Sequence, residues 1–337
     1  MKNVTIRDVA RHAGVAPATV SRVINNSGYV SPCTRARVLE AVEDLGFKPN
    51  GLARSLTSGR TRTIGLVLPD ITNPFFPALA RGVEDVAYSS GYAVILCNTD
   101  SDPGQEKAYV HTLMEKRIDG IIFTVSSADT SAIQELIEAQ YPFVLIDRRV
   151  EGVEADTVVI DNLSCAHDIT LHLVRMGHRR IAHISGPLAL AVSRDRQAGY
   201  LKALAGGPGV DPKLLRVGDF RFESGYDQMQ ELLRGPGCTA VFAANDMMAA
   251  GAIQAITDAG LDVPADIAVV GFDDILLASL IRPALTTVAQ PAYEMGASAF
   301  RLLLERLAGP ELPPRVRVLH PRLVVRESCG GRRWVAT

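Results

Sequence analysis

Apolar positions along this chain follow two rhythms. In the opening stretch they recur three and four residues apart: Ile6, Val9 and Ala10, then Val20, Val23 and Ile24, then Val38, Leu39, Val42 and Leu45. This is the spacing of amphipathic helices with one buried face each. From Thr63 onward, short continuous apolar runs alternate with helical stretches. IGLVLP (64–69), YAVILC (92–97), GIIFTV (120–125), FVLID (143–147) and DTVVIDN (156–162) predict buried strands, with helices near 76–90, 104–117 and 130–140. The series then repeats. RIAHIS (180–185), LRVGD (215–219), AVFAA (240–244) and IAVVGF (267–272) predict strands, with helices near 162–176, 194–205, 223–234 and 246–259. A helix near 292–308 and the runs RVRVLH and RLVVRE complete the pattern. Strands that are apolar on both faces and alternate with helices imply parallel sheets covered on both sides, and two series imply two doubly wound lobes. The expected fold is therefore α/β, an all-α head followed by a two-lobed body.

The head carries local punctuation as well as period. Thr5 is placed to cap a helix over 6–13, and Gly14-Val15 supplies a tight turn in which glycine permits positive φ. Pro17 suits the first turn of the next helix, where its missing N–H has no partner to lose. Helix, turn and helix at this spacing form a helix-turn-helix. The second helix buries Val20, Val23 and Ile24 and is expected to expose Pro17, Ala18, Ser21, Arg22 and Asn25. Small residues at its start and an arginine on its open face suit entry into a DNA major groove. Ser31 and Pro32 start a third helix that packs Val38, Leu39, Val42 and Leu45 inward and ends at Gly46.

Charge sharpens this picture. Residues 1–62 hold ten Lys/Arg against four Asp/Glu, a net of +6, whereas the whole chain of 337 residues carries −2, so the other 275 carry −8. A basic head on an acidic body makes any nucleic-acid surface local. The length suits a small head plus two lobes, and the hydrophobic content of 47% supports substantial cores. No apolar run reaches the eighteen residues of a membrane span, and MKNVTIRD has no signal-peptide core, so a cytoplasmic protein without a membrane partner is expected. Cys33, Cys97, Cys165, Cys238 and Cys329 are odd in number and contain no CxxC pair, which points to reduced thiols. No metal site and no cofactor are expected.

With TIRDVARHAGVAPATVSRVIN, the FKPN break and the ARSL segment in view, the chain resembles the LacI/GalR family of bacterial transcriptional repressors over essentially its full length. The resemblance implies a DNA-binding head over 1–49 and a hinge helix with linker over 50–62. It implies a periplasmic-binding-protein-like body whose chain crosses between lobes three times. The first lobe would comprise 63–160 with 291–320, and the second 161–290 with 321–330, leaving a tail over 331–337. DNA contacts are expected from Thr5, Pro17, Ala18, Thr19, Ser21, Arg22 and Asn25 in the head, and from Asn50, Arg54 and Leu56 in the hinge. In this family the hinge leucine enters the minor groove, a role assigned by resemblance to Leu56 and compatible with an apolar wedge that bends the duplex. Family members often carry a capping residue where this chain has Ala16, so the second helix lacks a side-chain cap.

Ligands of parallel α/β sheets bind beyond the carboxyl ends of the strands. Polar residues stand at those ends: Asp70 and Asn73, Asp147, Asp219, Asn245, Asp273 and Gln290, with Arg196 opening a helix after Gly186. Carboxylates, amides and a guanidinium offer paired donors and acceptors for vicinal hydroxyls, and Phe75, Phe76 and Phe220 offer apolar faces for a ring. By resemblance the effector contacts are Asn73, Phe75 and Phe76, then Asp147 and Arg196, then Phe220, Asn245, Asp273 and Gln290. Asp246 and Asp274 read instead as local helix-start and loop partners. A homodimer on a palindromic operator, responsive to a small polyhydroxylated effector such as a carbohydrate, is the leading expectation. A purine-type corepressor is the alternative. A sugar-binding protein without a DNA role would lack the basic head. An enzyme is disfavoured, because GxGxxG, GxxxxGK, GxSxG and HExxH are all absent and His167, His172, His178 and His183 have no ligand-spaced partners.

Overall fold

The computed structural model describes residues 4–47, 59–125, 129–207, 209–235 and 237–330. The expected hinge contacts Asn50, Arg54 and Leu56, and the tail over 331–337, lie outside the described residues. The chain divides into two compact units, Met1–Arg62 and Thr63–Thr337.

In the first unit, α1 (Ile6–His12), α2 (Pro17–Ile24) and α3 (Pro32–Asp44) close on a small core of Val9, Ala10, Val20, Val23, Val38 and Ala41. Thr5 donates through its backbone N–H and its hydroxyl to Asp8 Oδ2, at 2.9 and 2.6 Å, which fixes the start of α1. Gly14 takes φ +63° in the turn, and α2 begins at Ala16 with no side-chain cap. Ser31 accepts from Thr34 N at the start of α3. One expectation is corrected: Leu39 is 51% exposed and Ala41 is buried in its place. Val38, Ala41, Val42 and Leu45 keep the i, i+3, i+4, i+7 stripe, whereas Leu39 lies about 100° off it.

The second unit opens with β1 (Thr63–Leu68), α4 (Phe75–Ser89), β2 (Ala93–Asn98), α5 (Pro103–Glu115), β3 (Gly120–Phe123), α6 (Ser131–Glu138), β4 (Phe143–Ile146) and β5 (Thr157–Ile160). It continues through α7 (Asn162–Arg175), β6 (Ile181–Ser185), α8 (Ala191–Ala205), β7 (Leu215–Val217), α9 (Phe222–Arg234), β8 (Ala240–Ala243), α10 (Asp246–Asp258) and β9 (Ala268–Val270). It ends with α11 (Leu276–Leu280), β10 (Thr287–Ala289), α12 (Ala292–Ala308), β11 (Val316–Leu319) and β12 (Arg322–Val324). Six strands form one parallel sheet in the order β11-β5-β4-β3-β1-β2, and four form another in the order β7-β6-β8-β9.

Alternation along the central strands explains the continuous apolar runs. Ile64, Leu66 and Leu68 of β1 face one core while Val67 faces another; on β8, Ala240 and Phe242 face the first core and Val241 and Ala243 a third. Helices α4 and α12 touch backbone to backbone. A Cβ at Gly82 would come within 1.9 Å of the Tyr293 carbonyl, and one at Gly296 within 2.0 Å of the Leu79 carbonyl.

Several expectations change at the sheet margins. YAVILC is not a buried strand: β2 is an edge, with Ala93 exposed and Leu96 43% exposed. β7 and β9 stop two residues short of the apolar runs that contain them. Strand β10, its antiparallel pairing with the expected run RLVVRE as β12, and the short helix α11 were not expected; three- and five-residue elements are too brief to show a period. Helix α8 starts at Ala191 rather than near 194, so Arg196 lies in its second turn and does not open it. Leu190, its N-cap, makes no side-chain cap bond, so no sequence signal marks the start. The chain returns to the six-stranded sheet as β11, paired with β5, and then to the second sheet's side as β12, paired with β10. A charged knot holds that return: buried Asp156 receives Arg306 Nε at 2.8 Å and the Arg315 backbone N–H at 2.9 Å.

Candidate functional site

Within the head, α2 presents Pro17, Ala18, Arg22 and Asn25 to solvent, while Thr19 and Ser21 are half-buried. Asn25 Nδ2 donates to Ser21 Oγ at 3.3 Å, so these two hydroxyl and amide groups form one surface unit. Thr5 is exposed at the start of α1 but spends its hydroxyl on Asp8. The guanidinium of Arg22 has no partner among the described residues, which leaves its five donors available.

The second site is a cavity of about 410 Å³ in the body, within the ~300–1,000 Å³ range of small-molecule sites. It lies where the strand order reverses in each sheet, beyond the carboxyl ends of β1, β4, β7, β8 and β9. All nine residues expected around an effector line it: Asn73, Phe75 and Phe76 before and at the start of α4, Asp147 after β4, Arg196 on α8, Phe220 after β7, Asn245 and Asp273 after β8 and β9, and Gln290 after β10.

Backbone geometry aims several of them. Asp147, Phe220 and Asp273 take φ of +69°, +72° and +114°, conformations that L-residues adopt at a cost of about 1–3 kcal/mol each. Each lies just past a strand end, where the turn swings its side chain into the cavity. The Phe220 ring lies flat on Gly186, where a Cβ would meet its Cζ at 2.1 Å. Phe75 and Phe76 stand edge to face, 5.2 Å apart at 77°, and each is 4% exposed, so they serve the core and the cavity wall together.

The polar floor is cross-linked. Arg196 is 4% exposed; its Nε donates to Asn162 Oδ1 at 2.9 Å, its Nη1 to the Ala244 carbonyl at 2.6 Å, and its guanidinium stacks 3.8 Å from the Phe272 centroid. Nη1 also lies 3.8 Å from Asp273 Oδ1, which accepts Gln290 Nε2 at 2.7 Å. Burial pushes the Asp273 carboxyl up to about 7 despite Arg196 beside it. Burial likewise raises Asp147, while the guanidiniums of Arg148 and Arg196 pull it back. Among the residues that line the cavity, three buried atoms are without hydrogen-bond partners: the acceptors Asp147 Oδ1 and Gln290 Oε1, and the donor Arg148 Nε. Asn245 is different. Its Oδ1 caps α10 through Met248 N and its Nδ2 holds the Phe220 carbonyl at 2.8 Å, so it shapes the wall. Asp246 accepts from Ile275 N and Thr287 Oγ1, and Asp274 pairs with Arg326 at 2.6 Å, so both are internal partners.

Sequence reasoning missed Arg148, which follows Asp147 and lies 6.0 Å from the Phe220 centroid across the cleft. A charged dipeptide directly after a buried strand was the available signal. It also missed the apolar lip of Leu190 and Val192, and Arg221, whose Nε lies 3.9 Å from Asp70 Oδ2.

Comparison with known proteins now bears on this arrangement. Residues 5–50 match the family model described as bacterial regulatory proteins, lacI family, and residues 170–329 match a periplasmic binding protein-like domain. The chain is 41% identical over 327 residues to the HTH-type transcriptional regulator RegA of Clostridium saccharobutylicum, covering 96% of this chain and 98% of that one. The chain belongs to the LacI family. It is 40% identical over 330 residues to the ribose operon repressor of Escherichia coli (strain K12), covering 96% and 99% of the two chains. Among solved structures it is similar to the lac repressor dimer bound to operator and the anti-inducer ONPF, with a TM-score of 0.88 at 32% identity over 97% of this chain and 99% of that one. As a LacI-family protein it is a DNA-binding regulator of transcription. No described helix is long and apolar enough to cross a membrane.

Proposed function

We propose that this LacI-family protein represses metabolic genes by binding a palindromic operator as a homodimer, under control of a small polyhydroxylated effector, a sugar or sugar derivative, held in the body cavity. The observation that carries the effector reading is the lining itself: the carboxylates of Asp147 and Asp273, the Gln290 amide and the guanidiniums of Arg148 and Arg196 surround a single cavity beside the Phe220 ring. A hydroxyl both donates and accepts, so vicinal hydroxyls suit a lining that mixes carboxylates, an amide and guanidiniums. An apolar ligand would strip water from these groups and return no hydrogen bonds, at roughly 1–3 kcal/mol apiece. A purine held between two parallel rings is less well served, because Phe75 and Phe76 meet edge to face with no slot between them.

The DNA contacts lie on α2, centred on Arg22, with Leu56 of the hinge as the minor-groove wedge. Dimerisation is supported by Leu276 and Leu280, 72% and 62% exposed and four residues apart on α11. Ligand binding and operator binding are then reciprocally coupled through the lobe arrangement that sets the spacing of the two heads.

Titration calorimetry with a panel of sugars, hypoxanthine and guanine, alongside operator selection from a random library, tests the whole reading. A sugar that binds and shifts operator affinity is the expected result. Heat from hypoxanthine or guanine and from no sugar overturns the effector class while leaving the DNA role standing. Light scattering should return a dimer, and a tetramer at micromolar concentration would refute that assembly.

A further inference from the structure

Beside the main cavity lies a second, of about 290 Å³, and the two share Arg148, Ala189 and Leu190 as a common wall. Their charged linings differ. The main cavity is lined by four carboxylates and three guanidinium groups, the second by the guanidinium groups of Arg148, Arg149 and Arg194 against the single carboxylate of Glu151.

Two of the three guanidiniums of the second cavity are held in place. Arg194 Nη1 is tied to the carbonyls of Leu188 and Ala189 at 3.1 and 2.8 Å, and its Nη2 meets Glu151 at 2.6 Å. Glu151 is itself 84% exposed at the side chain, so water or another anion competes readily for its place. Arg148 is 6% exposed, donates through Nη1 to the Val125 carbonyl, and keeps Nε without a hydrogen-bond partner, with Asp147 Oδ2 3.5 Å away. Arg149 is exposed and hydrogen-bonds to nothing described; the carboxylates of Asp161 and Asp195 act on it only at longer range. The fifteen-residue helix α8 opens into this cavity at Ala191, and no side chain caps its first-turn amides. An uncapped helix start, the buried Arg148 guanidinium and the exposed Arg149 guanidinium line one cavity and together offer donors to an anion's oxygens.

We propose that the second cavity is the anion subsite of the effector site. It takes a carboxylate or phosphate carried on the sugar whose hydroxyls lie in the main cavity, so the effector is an acidic sugar. This rests on the sugar reading above and narrows it. The second cavity, with three guanidiniums to one carboxylate, is the more cationic of the two, and the two cavities together orient the molecule.

The test is calorimetry on the full chain with matched sets: hexoses, the corresponding hexuronates and the corresponding hexose 6-phosphates. An acidic member should bind at least about tenfold tighter than its neutral parent, with an advantage that shrinks as salt rises. Whether hexuronate or hexose phosphate leads identifies the anion. Arg149 is exposed and engaged in no described bond, so Arg149→Gln should fold normally. It should cut the acidic ligand's advantage several-fold and leave the neutral sugar's affinity unchanged. A neutral hexose that binds as tightly as its acidic forms overturns the anion subsite and leaves the sugar reading intact. Equal losses for neutral and acidic ligands in Arg149→Gln also overturn it. Binding of guanine or hypoxanthine with no sugar of either kind overturns both.

Discussion

The head and the cleft employ arginine in opposite ways. Arg22 stands exposed on α2 with no described partner, whereas Arg196 is 4% exposed and joins Asn162, Ala244, Asp273 and Phe272. No polar or charged residue of the described head is buried, while the body buries carboxylates, guanidiniums and a histidine. The difference separates two designs. A DNA-reading face adds function to a surface whose fold does not need it, and the energy of the contact is realised only in the complex. A ligand cavity is built from the same buried polar network that holds its walls, so binding and folding share residues.

Removing Arg196 should break this comparison most visibly if it is wrong. Arg196→Ala leaves Asp273 and Asn162 without their buried partner, and should lower the body's stability by about 3–5 kcal/mol as well as abolish any effector response. Urea unfolding gives the first number. A variant as stable as the parent would mean that Arg196 serves ligand alone, like a surface residue.

A pH scan sharpens the same contrast. His183 lies in the body between the rings of Tyr200 and Phe242, its Nδ1 2.9 Å from the Phe242 carbonyl and its Nε2 unpaired. Burial pulls its pKa from 6.5 down to about 4. The folded value lies below the unfolded one, so the unfolded chain takes the proton first. Stability is full above about 6.5 and falls as pH drops toward about 4, by about 3 kcal/mol in total. Calorimetry of the body's transition should show this slope, and His183→Phe should flatten it in that window. A slope unchanged in the variant would place its source elsewhere.

Arg22→Ala should do the reverse of Arg196→Ala. It is expected to cost about 1–3 kcal/mol on the selected operator, much less on random DNA, and nothing in melting temperature. Equal losses on both DNAs would make Arg22 a phosphate contact. The smallest effect concerns the uncapped start of α2, where Ala16 has φ −72° and ψ 148°, already suited to a cap. Ala16→Ser should raise head stability by about 1 kcal/mol in a thermal melt without altering the operator preferred.

The sequence alone determined the elements and most of the cleft's membership. Three- and four-residue spacing set α1 to α3, Gly14 set the turn, and charge set the head apart, because each depends on neighbours within a turn or two of chain. The polar lining residues Asp70, Asn73, Asp147, Asp219, Asn245, Asp273 and Gln290 were legible because parallel sheets deliver strand ends to one side, and polar residues after apolar runs mark those ends; Arg196 and the phenylalanines came in by the family resemblance. What needed the tertiary structure was everything set by partners distant in sequence. The exposure of β2 depends on its lying at the sheet's edge, which its own apolar run cannot report. Asn245 bonds within its own helix start and to a loop 25 residues away, so its role as a wall follows from a meeting that no local period encodes. Arg148 lines two cavities because the loop after β4 and the start of α8 border both, and its burial there, in a residue type usually left exposed, is not encoded locally.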